Sequence, residues 1–253
     1  MTYYVSGIGF VSPETMGCGQ DFTSSPLHCG HLNPITRKDV LDKPYKPFGR
    51  MDFFSKIGFA GIYFAYKDAG LTRAKLNNPI QTSNTSIIAS TLLGCLDTDK
   101  HFFDTIKTDN GKNASPSIFA YTLPNTFLGE ASIFLKTTGE HFVLKENNLK
   151  GISGLKMSFD VLDSNDSDLV ICGICDTNIP LFFENKLNST KNYFSGSLFF
   201  VISKVKLQAC YGEIIETHDG LILFNDINIE NILDLAQVCI NNKKIKMKEK
   251  LLL

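Results

Sequence analysis

The sequence has no tryptophan and almost no net charge, with 25 Lys and Arg residues against 26 Asp and Glu residues. This balance excludes the strong positive field with which a protein attracts nucleic acid or an anionic membrane. No uncharged apolar run approaches the roughly 18 residues of a membrane span, and the N-terminus lacks the basic and apolar regions of a signal peptide. We therefore expect a cytoplasmic protein with no nucleic-acid and no membrane partner.

The cysteines lack any disulfide pattern. There are seven, an odd number, in a chain long enough to bury a core without disulfides. The pair Cys172 and Cys175 has the spacing of a redox motif or half a zinc site, and His28-Cys29-Gly30-His31 offers further ligands. A redox pair should open a helix, but 176–180 does not read as one. We therefore favour buried thiols and an exposed loop, and expect no metal and no cofactor.

Strand-like and helix-like patterns alternate along the chain. The segment Leu169–Ile174 is uniformly apolar, which is typical of a strand buried on both faces of a helix-covered sheet. No linker or repeat divides the chain. The predicted strands are Tyr3–Ile8, Thr85–Ala89, Phe142–Lys145, Leu169–Ile174 and a pair, Ser197–Ser203 with Tyr211–Glu216; the predicted helices are Met51–Ala69, Thr98–Lys107, one with Pro124 in its first turn, one from Ile152, and Ile229–Ile240.

Several segments, in chain order, resemble the N-terminal half of the β-ketoacyl synthases of the thiolase-like superfamily. The most specific is 115–140, with the order Ser-Pro, Phe, Tyr-Thr-Leu-Pro-Asn, Gly-Glu, Thr-Gly. The resemblance implies an α/β fold, a thiolase-like half with three α-β-α layers and a mixed five-stranded sheet. It also implies one domain over 1–253, without the C-terminal half of the full fold. The other similar segments are 4–17, 49–71, 85–106 and, more weakly, 168–176 and 195–204.

The resemblance also implies that catalysis is lost. These enzymes carry a nucleophilic cysteine at the start of a buried helix and two histidines in their C-terminal half. Here no cysteine lies between Cys95 and Cys172, and the nucleophile position falls on Gly151 or Asn148, neither of which can form a thioester. The sequence ends where the second half would begin, and His218 lies in a predicted hairpin.

In this family the strand before the nucleophile pairs across a two-fold interface, and each subunit lines its partner's acyl tunnel. Here that strand is Phe142–Lys145, and left unpaired it would be an aggregation liability. The resemblance thus implies a chain-length-factor-type subunit, like the short forms of aryl polyene systems. It would pair with a full-length β-ketoacyl-ACP synthase as a heterodimer, or with itself as a homodimer. The residues expected at the tunnel or interface are Tyr121, Pro124, Asn125, Phe127, Phe142, Val143 and Leu144.

Other interpretations remain open. Ser153 near a helix start could serve as the nucleophile of an acyltransferase or hydrolase, although serines there are usually caps. A homodimeric acyl-binding protein is a third possibility. The Lys-rich tail 243–253 could dock an acidic acyl carrier protein or could simply be solvated. A dinucleotide site at Gly7-Ile8-Gly9 is not supported, because Ser12 replaces the third glycine.

Overall fold

The computed structural model describes residues 1–21, 30–73, 83–148, 150–178 and 194–251. Strands and helices alternate along most of this part of the chain, as the sequence patterns predict. The strands are β1 (Thr2–Val11), β2 (Met16–Cys18), β3 (Thr85–Thr91), β4 (His141–Lys145), β5 (Leu169–Asp176), β6 (Gly196–Ser203), β7 (Gly212–Glu216), β8 (Ile222–Phe224) and β9 (Ile227–Ile229). The helices are α1 (Arg37–Val40), α2 (Pro47–Arg50), α3 (Phe53–Asp68), α4 (Leu96–Lys107), α5 (Pro116–Phe119), α6 (Thr126–Leu135), α7 (Ile152–Asp163) and α8 (Ile232–Leu251).

The strands form one mixed sheet in the order β4-β3-β5-β6-β1-β7-β8-β9, and β2 pairs with β1. Strands β3, β4 and β5 are parallel, whereas β6 runs antiparallel to both of its neighbours. The described part of the sheet thus has nine strands rather than the expected five. The prediction missed three short strands, namely β2, which pairs with β1, and β8 and β9, which extend the sheet beyond β7. It also paired β6 with β7, but these two strands lie on opposite sides of β1.

Helices cover both faces of the sheet, which gives the predicted three layers. On one face α3 and α6 pack against the sheet, and on the other face α7 and α8 do so. Every residue of β5 and of β6 is buried, as expected for strands covered on both sides. The backbone of α3 lies directly on β1, because a Cβ at Gly9 would come within 2.1 Å of the Ala65 nitrogen.

Helix α3 lies within the predicted segment Met51–Ala69, but it begins two residues later, at Phe53. Asp52 caps its N-terminus by accepting a hydrogen bond from the Ser55 N–H (2.9 Å). Gly70, with φ of 77°, follows its C-terminus. Helix α6 starts later than predicted, since Asn125 occupies its N-cap position and Pro124 therefore precedes the helix.

The last helix closes the second face of the sheet. It begins at Ile232, where the backbone N–H donates to the Lys150 carbonyl (2.8 Å); the predicted starting residue, Ile229, ends β9 instead. One side of its first turns is buried, including Leu235 and Ala236 at 0% exposure, whereas Asp234 is exposed. Within the described residues, no helix combines the length and the apolar character that crossing a bilayer requires.

Candidate functional site

The sheet topology places a crevice at the carboxyl ends of β3 and β5. From β3 the chain reaches β4 through α4, α5 and α6, and α6 packs on the α3 face. From β4 it returns through α7, on the opposite face, to β5 on the other side of β3. The first connection leaves the carboxyl end of β3 on one face, and the second leaves the neighbouring end of β4 on the other face. Such a divergence is where open α/β sheets bind ligands.

Asp176, at the end of β5, holds the turn that follows β3. Its buried carboxylate accepts hydrogen bonds from the Thr91 hydroxyl (2.7 Å) and from the N–H groups of Leu92 and Leu93 (both 2.8 Å). Burial raises the pKa of this carboxyl, and the hydrogen bonds act in the opposite direction. Because both oxygens already accept hydrogen bonds, Asp176 stabilises the turn rather than offering a free base.

A second buried carboxylate, Glu146, lies at the N-terminus of α7. It accepts hydrogen bonds from the Ser153 N–H (3.2 Å) and from the Ser153 hydroxyl (2.9 Å). Glu146 is 6% exposed, and a negative charge at this position interacts favourably with the helix dipole. The pair therefore caps α7. It is a second place beside the crevice, after Thr91 and Asp176, where a hydroxyl and a carboxylate are in contact.

The predicted nucleophile positions lie immediately before α7. Gly151 is the N-cap residue, with left-handed φ and ψ of 63° and 20°. A Cβ at this position would lie 2.4 Å from Cγ2 of Ile174 and 2.9 Å from Cγ2 of Ile232. Asn148, three residues earlier, is exposed, and its side chain accepts a hydrogen bond from the Lys150 N–H (2.9 Å). We call this turn at Gly151, just before α7, the elbow. Ile174 and Ile232 fill the space that a side chain there would need.

The crevice itself is almost closed. Its cavity measures about 10 Å³, close to the minimum that one water molecule requires. The Ser90 hydroxyl is enclosed without a hydrogen-bond partner among the described residues. The cavity walls also include Thr91, Glu146, Asn148, Gly151, Ile174, Asp176 and Phe194. An acyl chain has no room here unless the surrounding side chains move.

The residues predicted at a tunnel or interface fall into two separate groups. Phe127 is fully buried in the chain's own core, with its ring 5.3 Å from that of Phe54. Tyr121 is also buried, whereas Pro124 is half-buried and Asn125 is exposed. The second group, Phe142, Val143 and Leu144, lies half-buried on the edge strand β4.

Strand β4 forms one edge of the described sheet, and it pairs only with β3 there. Two backbone hydrogen bonds, Ile87 N–H to Glu140 O (2.9 Å) and Glu146 N–H to Thr91 O (2.8 Å), show which residues face β3. Because a strand's backbone groups alternate in direction, the N–H and C=O groups of the odd-numbered residues 141, 143 and 145 point to the free edge. Side chains alternate as well: Val143 packs on the α6 face, and Phe142 and Leu144 pack on the α7 face.

A larger cavity, of about 330 Å³, lies beside α3, α4 and α5, and it was not anticipated from the sequence. Tyr121 lines it together with Arg50. Arg50 forms a 3.0 Å ion pair with Glu130, which also accepts a hydrogen bond from the Tyr121 hydroxyl (3.2 Å). Burial, followed by the Glu130 charge, raises the pKa of Tyr121. Arg50 and Glu130 are 80 residues apart, so no local pattern could have revealed their contact.

The cysteine motif does not form a redox pair. Cys172 packs in the core on the α7 face and Cys175 in the core on the α3 face, so the sheet separates the two thiols. Both are buried, as predicted, and burial raises the pKa of Cys172 to about 12. Residues 28 and 29 of the other motif lie outside the described residues, while His31 is exposed beside Asn178. Among the described residues no three His, Cys, Asp or Glu side chains are placed to hold a metal ion.

No protein family and no curated protein matches the sequence, but solved structures match the fold. The ishigamide ketosynthase/chain length factor matches with a TM-score of 0.64 and 12% identity, over 81% of this chain and 63% of that chain. A ketosynthase in complex with its chain length factor, from Xenorhabdus doucetiae, matches with a TM-score of 0.57 and 14% identity, over 81% and 80%.

A third match is a type II polyketide acyl-carrier protein in complex with its ketosynthase. Its TM-score is 0.61 at 13% identity, over 84% of this chain and 67% of that chain. This chain thus spans less than two thirds of the first structure and most of the second. At such low identity the matches establish the fold, and they agree with the resemblance found in the sequence. The chain therefore has the fold of the ketosynthase and chain length factor structures.

Proposed function

We propose that this chain is a non-catalytic, chain-length-factor-type subunit, a single ketosynthase N-terminal-like domain that pairs with an active β-ketoacyl-ACP synthase. The pathway would be a fatty-acid-like or polyketide one, such as aryl polyene biosynthesis in the cytoplasm. Two of the matching structures are named as ketosynthase and chain length factor structures.

The observation that carries this proposal is the elbow before α7. A condensing enzyme of this fold needs a cysteine there to hold the growing chain as a thioester. Gly151 has no side chain, and the methyl groups of Ile174 and Ile232 occupy the space that one would need. Asn148, the other candidate position, carries an amide that is not a nucleophile. A subunit with this elbow contributes through its shape and its contacts.

The free edge of β4 supports pairing with another chain. Among the described residues it pairs with no further strand, and its outward backbone groups lie next to half-buried apolar side chains at Phe142, Val143 and Leu144. An exposed edge of this kind readily pairs with a strand of another chain. We infer that a partner subunit's strand extends the sheet here, which would place Tyr121, Pro124 and Asn125 near the partner's acyl tunnel. Phe127 would act from within the core by holding α6 in place.

An acyl carrier protein is a further proposed partner. Residues 243–250 contain five lysines and one glutamate, although the whole chain carries a net charge of −1. The backbone of this segment continues α8 as a helix. A basic segment on an otherwise acidic chain suits an acidic partner, mainly by accelerating and orienting its encounter.

Co-expression with a full-length β-ketoacyl-ACP synthase encoded alongside this chain tests the pairing. We expect the two proteins to co-purify. Val143→Pro should abolish this, because proline removes an N–H that faces the free edge while leaving the β3 hydrogen bonds in place. Val143→Thr, which keeps the N–H and the β-branched shape, is the matched control. Two proteins that purify separately in every combination would contradict the proposal.

The contact between Ser153 and Glu146 keeps an enzymatic alternative testable, namely an acyltransferase or hydrolase that uses Ser153. In that case, acyl carrier protein loaded with a labelled acyl group should leave an adduct on Ser153 or release free acid. The non-catalytic proposal predicts neither product by mass spectrometry, and it predicts that Ser153→Ala leaves binding to the ketosynthase unchanged. A homodimeric acyl-binding protein would instead associate with itself and retain a labelled fatty acid.

A further inference from the structure

The basic end of α8 contacts a buried tyrosine. Asn242 and Lys243, both half-buried, are the last residues of α8 whose side chains the structure describes. The Asn242 amide donates a hydrogen bond to the Tyr211 carbonyl (2.5 Å), and the Lys243 ammonium donates one to the Tyr211 hydroxyl oxygen (3.2 Å). The Lys243 Nζ also lies 4.5 Å from the centre of the Tyr211 ring, which is a cation–π contact. Both side chains of this turn therefore contact the same residue.

Tyr211 continues this contact to the helix on the other face of the sheet. Its side chain is 1% exposed, and its hydroxyl donates to the carboxylate of Asp68 (2.6 Å), the last residue of α3. Asp68 also accepts a hydrogen bond from the Ile8 N–H (2.9 Å) in β1. On this side of β1 the first residues pair with β7 and the last with β2, and Ile8 lies between them. The hydrogen-bond chain Lys243–Tyr211–Asp68 thus joins the two helix layers through this gap.

The two ends of the hydrogen-bond chain carry opposite charges. Burial raises the pKa of Asp68, whereas the hydrogen bonds from Tyr211 and Ile8 and the charge of Lys243 act in the opposite direction. Burial, followed by the Asp68 charge, raises the pKa of Tyr211, so the hydroxyl keeps its proton and donates it to Asp68. Its oxygen then remains as the acceptor for Lys243. Hydrogen bonds arranged in series in this way polarise and strengthen one another.

The turn at Lys243 precedes the basic end of α8. The buried residues of this helix extend to Ile240, and Asn241 is exposed. About two helical turns, 244–251, follow Lys243. A helix of this length is marginal in water by itself, so its helical form depends on the turn that precedes it. The contacts of Asn242 and Lys243 with Tyr211 fix that turn.

We propose that Lys243 is a positioning residue, which through Tyr211 and Asp68 holds the basic end of α8 as a fixed helix on which an acidic acyl carrier protein docks. The inference rests on the carrier-protein partner proposed above and adds how the docking segment is held. A segment that is already ordered loses less conformational freedom on binding. Lys243 thus has a different role from the four lysines that follow it up to residue 250.

Tyr211→Phe tests the inference, because it removes a buried hydroxyl and leaves every lysine and the net charge in place. We expect the backbone amides of 244–251 to exchange hydrogen roughly tenfold faster, since a hydrogen bond to a charged group is lost. Binding to a purified acyl carrier protein encoded alongside this chain should be roughly three- to tenfold weaker, because the segment must be ordered again on binding. Mass spectrometry measures the exchange, and titration calorimetry measures the binding.

Substitutions of Lys243 give a second test that does not alter the core. Lys243→Gln should have the same two effects as Tyr211→Phe. Lys243→Arg should keep both properties near wild type, because arginine retains the charge and stacks on aromatic rings. Thermal unfolding of each variant separates release of the helix end from loss of the fold.

Two matched controls lie elsewhere in the chain. Tyr45→Phe removes a hydroxyl that is enclosed without a hydrogen-bond partner among the described residues. Lys206→Gln removes a positive charge from an exposed lysine that lies 5.8 Å from the centre of the Tyr4 ring. Both variants should exchange and bind as the wild type does.

A wild-type chain that binds the carrier protein, with Tyr211→Phe and Lys243→Gln equal to it, would overturn this inference and leave the docking proposal intact. Faster exchange in these variants with unchanged binding would also overturn it, because docking would then not need the held helix. A wild-type chain that binds no carrier protein would overturn the carrier as a partner, and this inference with it. Pairing with a ketosynthase through β4, which co-purification tests separately, would be unaffected.

Discussion

Gly151, one of the two predicted nucleophile positions, is unsuited to a side chain in two independent ways. Its left-handed backbone disfavours any residue with a side chain, and its surroundings leave no space for one. Either property can be tested by restoring a side chain. Because Ile174 comes from β5 and Ile232 from α8, the obstruction combines distant parts of the chain.

We expect Gly151→Cys to lower the free energy of unfolding by about 3 kcal/mol, through backbone strain and overpacking. It should not restore condensation. Urea denaturation measures the first effect, and mass spectrometry after incubation with acyl-loaded carrier protein measures the second.

Gly129 provides the matched control for this substitution. It lies on the exposed face of α6, and a Cβ there would have no atom within 4 Å. Gly129→Ala should therefore stabilise the protein by about 0.5–1 kcal/mol, the usual preference for alanine inside a helix. A Gly151→Cys variant that is as stable as wild type and becomes acylated would contradict our account of the elbow.

The two edges of the sheet are built differently. At one edge, β9 has three residues and follows a tight turn through Asn225 and Asp226, both with positive φ. At the other edge, β4 has five residues, with apolar side chains half-buried on both faces. A short edge strand pairs poorly with other chains, whereas a longer edge strand with apolar side chains pairs with them more readily. This difference supports β4 as the edge that would pair in the proposed association.

The contact between α3 and α6 depends on one aromatic ring. Phe127 lies against Gly58, where a Cβ would come within 2.5 Å of the ring, and it is 0% exposed. We expect Phe127→Ala to cost about 3–5 kcal/mol of stability, because it leaves a cavity between the helices. Thermal or urea unfolding of the isolated chain measures this loss.

Phe103, on α4, is the control for Phe127, since it is 59% exposed. Phe103→Ala should change the stability by less than about 0.5 kcal/mol. If Phe127→Ala left the isolated chain as stable as wild type and weakened only partner binding, the ring would belong to an interface, as the sequence suggested. The buried position predicts the opposite.

The molecule as a whole covers both faces of its sheet with its own helices. The α7 face would be open without α8, whose residues Ile232, Leu235, Ala236 and Cys239 are all 0% exposed. A partner can therefore approach the edge of the sheet but not its faces. The same helix supplies Ile232, which fills the space beside Gly151. Covering the sheet and filling the space at the predicted nucleophile position thus depend on one element.

We expect Ala236→Asp to lower the free energy of unfolding by at least about 3 kcal/mol, because it buries a carboxylate between α8 and the sheet. Asn241→Asp, on the exposed part of the same helix, should change it by less than about 0.5 kcal/mol. Circular dichroism during urea titration compares the two. Equal stability of both variants would show that α8 is not needed to close this face.

The amino-acid pattern was sufficient to predict the main strands and helices and their arrangement in three layers. Alternating strand and helix periodicity gave β1, α3, β5 and the three-layer arrangement, because burial on one or both faces leaves a direct trace in the order of apolar residues. The sequence also has no cysteine between Cys95 and Cys172, and the predicted loss of the nucleophile rests on that observation. Strands β2, β8 and β9 were not predicted, because a strand of three residues is too short to show a recognisable periodicity.

The contacts around Gly151, Arg50 and Phe127 depend on packing between segments that are distant in the chain. The closed elbow brings together Gly151, Ile174 and Ile232, and the ion pair of Arg50 with Glu130 joins two helices. The same is true of Phe127, which the sequence placed near an interface and the fold places in the core. Such contacts depend on how elements stack in space, and a pattern of neighbours along the chain does not encode them. The direction in which the backbone N–H and C=O groups of β4 point likewise follows from its register with β3.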